Sequence, residues 1–187
     1  MPKDSFCRRS FLKMSLLTAA ALCTGSTPAW ARHVAGERKT AGRLRLRNTH
    51  TGERLVVTYR DRYGNYDQNA LDELNWLLRC HYNNEVHPID IRTIEFLNSL
   101  HKNIRGEHEI QVISGYRSPE YNALLRSKSR GVAKHSLHLE GKALDIRISD
   151  VRLSTLRKTA LNLRMGGVGY YPKSGFLHID SGSFRTW

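Results

Sequence analysis

The stretch HSLHLEGKALD, residues 135–145, places two histidines, two carboxylates and a glycine in eleven positions and runs directly into IRI at 146–148. From Ala143 onward, ALDIRI alternates with the period of a strand, whereas the polar residues before it read as a loop. His138 and Asp145 therefore stand one on the loop and one on the strand that leaves it, with Gly141 between them to let the chain fold back. A zinc ion with an open position needs three protein donors converging at about 2 Å, the fourth place being left for water. The third donor must come from elsewhere, and FLHID, 176–180, supplies His178 at the centre of a second strand that can neighbour ALDIRI. Residues i and i+2 of a strand share a face, so His178 and Asp180 point the same way. Two strands and a loop can thus bring His138, Asp145, His178 and Asp180 to one pocket. Spacing alone is a weak signal, because nine histidines in the chain make chance pairs easy and a lone histidine is ordinarily solvated or satisfied within the fold.

The segments around this pair have their own signatures. RLRLRNTHTGERLVVTYR, 43–60, alternates Leu44 and Leu46 with arginines, turns at 48–52 and resumes with Leu55, Val57 and Tyr59, a hairpin pattern. Asp67 is placed to cap a helix carrying Leu71, Leu74, Leu77 and Leu78, and Pro88 to open another with Ile91, Ile94, Leu97 and Ile104 on one face. EIQVIS reads as a strand and is followed by a sharp GYRS. Ser118 and Pro119 then start a helix that runs to about Arg126. STLRKTALNLR reads as a helix capped by Ser154 and ended by Gly166 and Gly167; GVGYY, PKSG and FLHID make a terminal hairpin. The fold expected is α+β: a small antiparallel sheet from the later strands, helices packed on one side and a metal cleft over the other.

The N-terminus places the domain in a compartment. Residues 1–31 carry Arg8 and Arg9, then Phe11, Leu12 and Lys13, an apolar run from Met14 to Cys23, and an A-x-A site at Ala29–Ala31. This resembles a cleaved twin-arginine export signal, with Cys7 where Ser or Thr is usual. The apolar run is about half of the ~20 residues a membrane span needs, and Leu22 before Cys23 is too bulky for a lipid-attachment box. Cleavage would remove four basic side chains and one acidic one, lowering the formal charge from +13 to +10 over 156 residues. Residues 32–42 read as a flexible leader and 43–187 as the folded domain. Cys7 and Cys23 would leave with the signal, so Cys80 has no disulfide partner and reads as a buried structural thiol. Such a basic balance raises nucleic acid as a partner, but no stripe of interleaved basic and aromatic residues supports it. An anionic envelope polymer fits an exported protein better.

SGYRS at 114–118, SLHLEGKALD at 136–145 matching S-x-H-x-x-G-x-A-x-D, and HID at 178–180 together resemble the zinc D-Ala-D-Ala metallopeptidase superfamily, of Hedgehog/DD-peptidase-like fold. SRGVAK and GGVGYYPKSGFLHID look closer still to its exported murein endopeptidase branch, of YcbK or MepK type. The resemblance spans nearly all of 43–187. It implies that His138, Asp145 and His178 hold one catalytic Zn2+, and that Arg117 faces the cleft and pairs with a carboxylate or carbonyl of peptidoglycan stem peptides. It departs at one place: several relatives carry a glutamate three residues before the last histidine ligand, or a histidine two before it, as an aid to base catalysis, and here those positions hold Gly175 and Phe176. Asp180 is the candidate instead, either as the base or as an acceptor that orients an imidazole N–H. His135 is a further candidate for substrate contact. The expected activity is therefore zinc-dependent hydrolysis of peptidoglycan cross-links by a periplasmic monomer with no stable membrane insertion and no nucleic-acid partner. A non-catalytic zinc-stabilised wall-binding module and a D,D-carboxypeptidase are the alternatives.

Overall fold

Alternation and capping account for most of the elements seen in the computed structural model, which describes residues 40–129 and 131–187. The export segment and the leader up to residue 39 lie outside the described residues. Leu44 and Leu46 face inward from β1 (Gly42–Asn48), and Val57 and Tyr59 from its antiparallel partner β2 (Arg54–Arg60). The Asp67 carboxylate accepts the backbone N–H groups of Asn69 and Ala70 and so starts α1 (Gln68–Leu77). Helix α2 (Ile91–Lys102) begins later than Pro88 because Asp90 accepts the N–H of Arg92 and serves as the cap. After β3 (Ile110–Ser114), the Ser118 hydroxyl accepts the N–H of Tyr121 at the head of α3 (Pro119–Lys128). A 3-10 turn (Leu137–Glu140) leads into β4 (Ala143–Arg147) and then α4 (Leu153–Leu163). Strands β5 (Gly167–Tyr171), β6 (Phe176–Asp180) and the short β7 (Arg185–Thr186) complete the chain.

The α+β class is the one expected, but the sheet is larger and mixed. Seven strands lie in the order β2-β1-β3-β4-β6-β5-β7. The N-terminal hairpin joins the same sheet, because β1 runs parallel to β3; β5 and β7 are also parallel, and the other four pairings are antiparallel. A parallel pair needs a long crossover, which the segment carrying α1 and α2 supplies. Helices α1, α2 and α4 pack on the sheet, where Leu74, Ile94, Leu97 and Leu156 meet Leu46, Ile110, Leu144, Ile146 and Ile179 in one core. The other sheet face, at β1 and β2, is open to solvent.

Helices α1 and α4 also have boundaries that differ from the sequence pattern. Helix α1 ends at Leu77, so Cys80 sits after it; the thiol is buried all the same, 3.6 Å from the Ser118 hydroxyl. Helix α4 starts at Leu153 without a side-chain cap and stops at Arg164, which takes the left-handed conformation itself. Gly167 is the first residue of β5, and its lack of a side chain serves packing: a Cβ there would lie 2.4 Å from the Asp180 carboxylate.

Candidate metal centre

His138 is held by the loop and the 3-10 turn. Ser136 caps the turn, and Gly141 closes it in the left-handed conformation at φ 64°, with its N–H bonded back to the His138 carbonyl. A Cβ at Gly141 would lie 2.3 Å from the Pro88 carbonyl oxygen, so that reversal needs glycine for both conformation and space. The chain then enters β4, where Asp145 stands directly across from His178 of β6 in the antiparallel register. The neighbours on either side are Ser114 of β3 and Gly169 of β5. Sheet register thus fixes two of the side chains, and the folded-back turn lays the third over them.

The three groups converge. Nε2 of His138, Oδ1 of Asp145 and Nδ1 of His178 lie 2.9–3.3 Å apart, with His138, Asp145 and His178 only 1%, 3% and 9% exposed. Each imidazole is oriented from behind by a bond to its other nitrogen. Nδ1 of His138 donates to the Gly115 carbonyl at 2.7 Å, and Nε2 of His178 donates to Oδ2 of Asp180 at 3.1 Å. The two rings therefore present opposite nitrogens toward Asp145. Burial holds the His138 imidazole below its usual range. Burial also acts against charge on His178, but its bonds to Asp145 and Asp180 outweigh it and raise that ring. Burial opposes ionisation of Asp145 too, yet the two histidines and Arg117 keep its carboxyl far below the usual range. Two imine nitrogens and one carboxylate oxygen, their ligating atoms all within 4.8 Å of one another, suit zinc and other divalent ions of similar preference.

The remaining candidates fall around this cluster. Arg117 bonds Oδ2 of Asp145 through Nη2 and the Ser114 hydroxyl through Nε at 2.8 Å, and it lines the cleft. Asp180 is 0% exposed. Its oxygens accept from His178, from the N–H groups of Gly167 and Gly182, and from both Nη atoms of Arg185, at 2.8–3.2 Å. Burial opposes ionisation of Asp180, but the bonds from His178, Arg185 and the Gly182 N–H outweigh it and lower the carboxyl to about 2. The Asp180 carboxylate is thus enclosed and engaged by five donors, the Nε2–H of His178 among them.

Arg185 was not legible beforehand, being a lone basic residue beyond the HID motif. Trp187 was missed as well. Its indole lies 5.3 Å from the His178 ring and donates to the Tyr171 hydroxyl at 2.7 Å, above Gly169, where a Cβ would be 2.7 Å from the indole. These side chains, with His135, Ser136 and Phe176, line a cleft of about 410 Å3 that opens onto the cluster.

The family model described as Peptidase_M15_2, Peptidoglycan L,D-endopeptidase MepK, matches residues 37–187. The chain belongs to this peptidase family. Over 144 residues it is 44% identical to the peptidoglycan L,D-endopeptidase MepK of Escherichia coli (strain K12), covering 77% of this chain and 79% of that one. The Shigella flexneri protein of the same description matches equally. The probable peptidoglycan L,D-endopeptidase MepK of Haemophilus influenzae is 43% identical over 145 residues, 77% of each chain. Peptidases of the M15 family are metal-dependent, and the donor set of His138, Asp145 and His178 is of the kind that such an enzyme requires. Among the described residues no helix is long and apolar enough to cross a membrane.

Proposed function

We propose that the chain is a zinc-dependent L,D-endopeptidase that hydrolyses peptide cross-links of peptidoglycan. The observation that carries this reading is the convergence of His138 Nε2, Asp145 Oδ1 and His178 Nδ1 on one cleft. The activity of the relatives supplies the choice of bond. His138, Asp145 and His178 would hold one zinc ion. When bound there, zinc polarises a peptide carbonyl and makes water a stronger acid, so hydrolysis needs no nucleophilic side chain.

The chain's own groups set up that chemistry. Arg117 holds the outer oxygen of Asp145, which keeps the inner one turned to the two imidazoles, and its place on the cleft suits it to a substrate carboxylate or carbonyl. Asp180 orients His178, and Arg185 clamps Asp180. Outside the donor set, His135 is the imidazole among the described cleft residues, and it is exposed; we assign it the movement of a proton to or from the substrate. Trp187, Tyr171 and Phe176 give the stem peptide an apolar surface. The export pattern in residues 1–31 supports a periplasmic location by the twin-arginine route, with 32–42 as leader and 43–187 as the peptidase domain; we take the enzyme to be a monomer.

Digestion of purified sacculi, with products separated and weighed by mass spectrometry, tests the reading. The expected result is loss of L,D-cross-linked dimers, abolished by a chelator and restored by zinc. Intact dimers after incubation with zinc-loaded protein, or release of single D-alanines from uncross-linked stems, would overturn it.

A further inference from the structure

The open face of the sheet carries a feature that hydrolysis does not use. Leu44 and Leu46 turn into the core, so the alternate residues of β1, Arg43, Arg45 and Arg47, turn to the opposite face. Register then builds a row across the sheet: Arg54 of β2 pairs with Arg47, Arg47 with Gln111 of β3, and Gln111 with Arg147 of β4. Neighbouring strands lie about 4.8 Å apart, so this row runs roughly 14 Å. Arg147 is also two residues from Asp145 on one strand, and residues so spaced share a face. The arginine row and the candidate metal centre therefore occupy the same side of the sheet and meet at β4.

This surface is under-neutralised. Among the described residues, the carboxylate that pairs with these arginines is Glu109, 3.2 Å from Arg54 and 4.0 Å from Arg45. Arg147 donates to the neutral Gln111 side chain at 2.7 Å, and the buried Nε of Arg47 has no hydrogen-bond partner. Like charges in register on adjacent strands repel, and a buried guanidinium N–H without an acceptor is costly. An anion shared between strands relieves both. Guanidinium forks match carboxylates bidentately, and continuity with the cleft selects an occupant that also reaches the cleft.

We propose that this arginine-bearing face is a second binding site for peptidoglycan, taking stem-peptide carboxylates of a strand adjacent to the one being cut. The site rests on the peptidoglycan reading above and holds the enzyme on its polymer between cleavage events.

The test compares the full mature chain with a triple variant, Arg43→Gln, Arg45→Gln and Arg147→Gln, and with the Lys triple at the same positions. All three side chains are exposed, and circular dichroism checks that each variant is folded. Retention on purified sacculi should fall as salt rises for the parent. It should drop about tenfold for the Gln triple and recover in the Lys triple, since three exposed charge contacts together account for that factor. Turnover of a soluble cross-linked dimer should be unchanged, while turnover of sacculi falls with retention. Equal retention of the Gln triple, or an equal loss on the soluble dimer, would overturn the site. So would tighter arginine-dependent binding to phosphatidylglycerol vesicles or to an oligonucleotide than to sacculi. If the parent does not cut the dimer, the function reading fails, whereas the retention comparison still decides the site on its own.

Discussion

His138 and His178 reach their common point with opposite nitrogens, because Gly115 holds one ring and Asp180 the other. The roles proposed for Asp180, behind His178, and for His135, in the cleft, are separable. Asp180→Asn keeps the shape but removes the charge, and it turns an N–H2 toward donors already present at Gly182 and Arg185. Zinc affinity is expected to fall about 10- to 100-fold, measured by competition with a chromogenic chelator. His135→Ala is expected to leave zinc content intact and to lower turnover by about 100-fold or more. Unaltered zinc binding in Asp180→Asn, or undiminished turnover in His135→Ala, would contradict these assignments. Loop, glycine and strand alternation were enough to gather His138, Asp145, His178 and Asp180 at one pocket, but singling out the first three as metal donors came from the family resemblance, since their spacing alone is a weak signal. The state of Asp180 was only half legible: alternation placed it beside His178, but its enclosure depends on Gly167, Gly182 and Arg185, which no local pattern brings together. Arg185 and Trp187 were silent because their partners lie on other strands.

At the level of elements, Asp67 and Ser118 were legible as caps because each stands directly before the helical pattern it starts. Asp90 was overlooked in favour of Pro88. Its function is partly tertiary: besides capping α2 it accepts the Ser181 hydroxyl at 2.9 Å, and its N–H donates to the Gly141 carbonyl. The parallel pairing of β1 with β3 was likewise invisible, since alternation says which face of a strand is buried but not which strand lies beside it. The element most open to a test is the 3-10 turn. Gly141→Ala places a methyl group 2.3 Å from the Pro88 oxygen and holds alanine at φ 64°. A cost of about 2 kcal/mol follows, a fall in melting temperature of roughly 4–8 °C for a chain of this size. Because the turn carries His138, zinc affinity should fall with it. A Gly141→Ala protein that melts with the parent would mean that the turn relaxes freely.

For the molecule as a whole, Cys80 has no disulfide partner among the described residues, and distant segments are tied by other means. One such tie is the ring stack of His50, in the β1–β2 turn, on His81, after α1, at 3.6 Å between centroids, with Tyr121 of α3 edge-on to His81 at 4.8 Å. Burial, then the neighbouring His50 and the charge of Arg117, hold the His81 imidazole down to about 4. In the unfolded chain the same ring titrates near 6.5. Between those values the unfolded state binds the proton and the folded state does not, so the contribution to stability is whole above pH 6.5 and is lost as pH falls toward 4. From pH 7 to pH 5 the shift corresponds to about 2 kcal/mol at most, and solvent screening of a half-exposed ring reduces it to about 1 kcal/mol. Asp90 and Asp180, both lowered to about 2, lose their contributions only below about pH 4, outside this window. Urea unfolding of the metal-free protein at pH 7 and pH 5 reads the effect. His81→Phe, which keeps an aromatic ring but cannot be protonated, should shrink the parent's acid-induced loss by about 1 kcal/mol. The same loss in both proteins would mean that the stack binds its proton as readily folded as unfolded, and that acid loosens the molecule elsewhere.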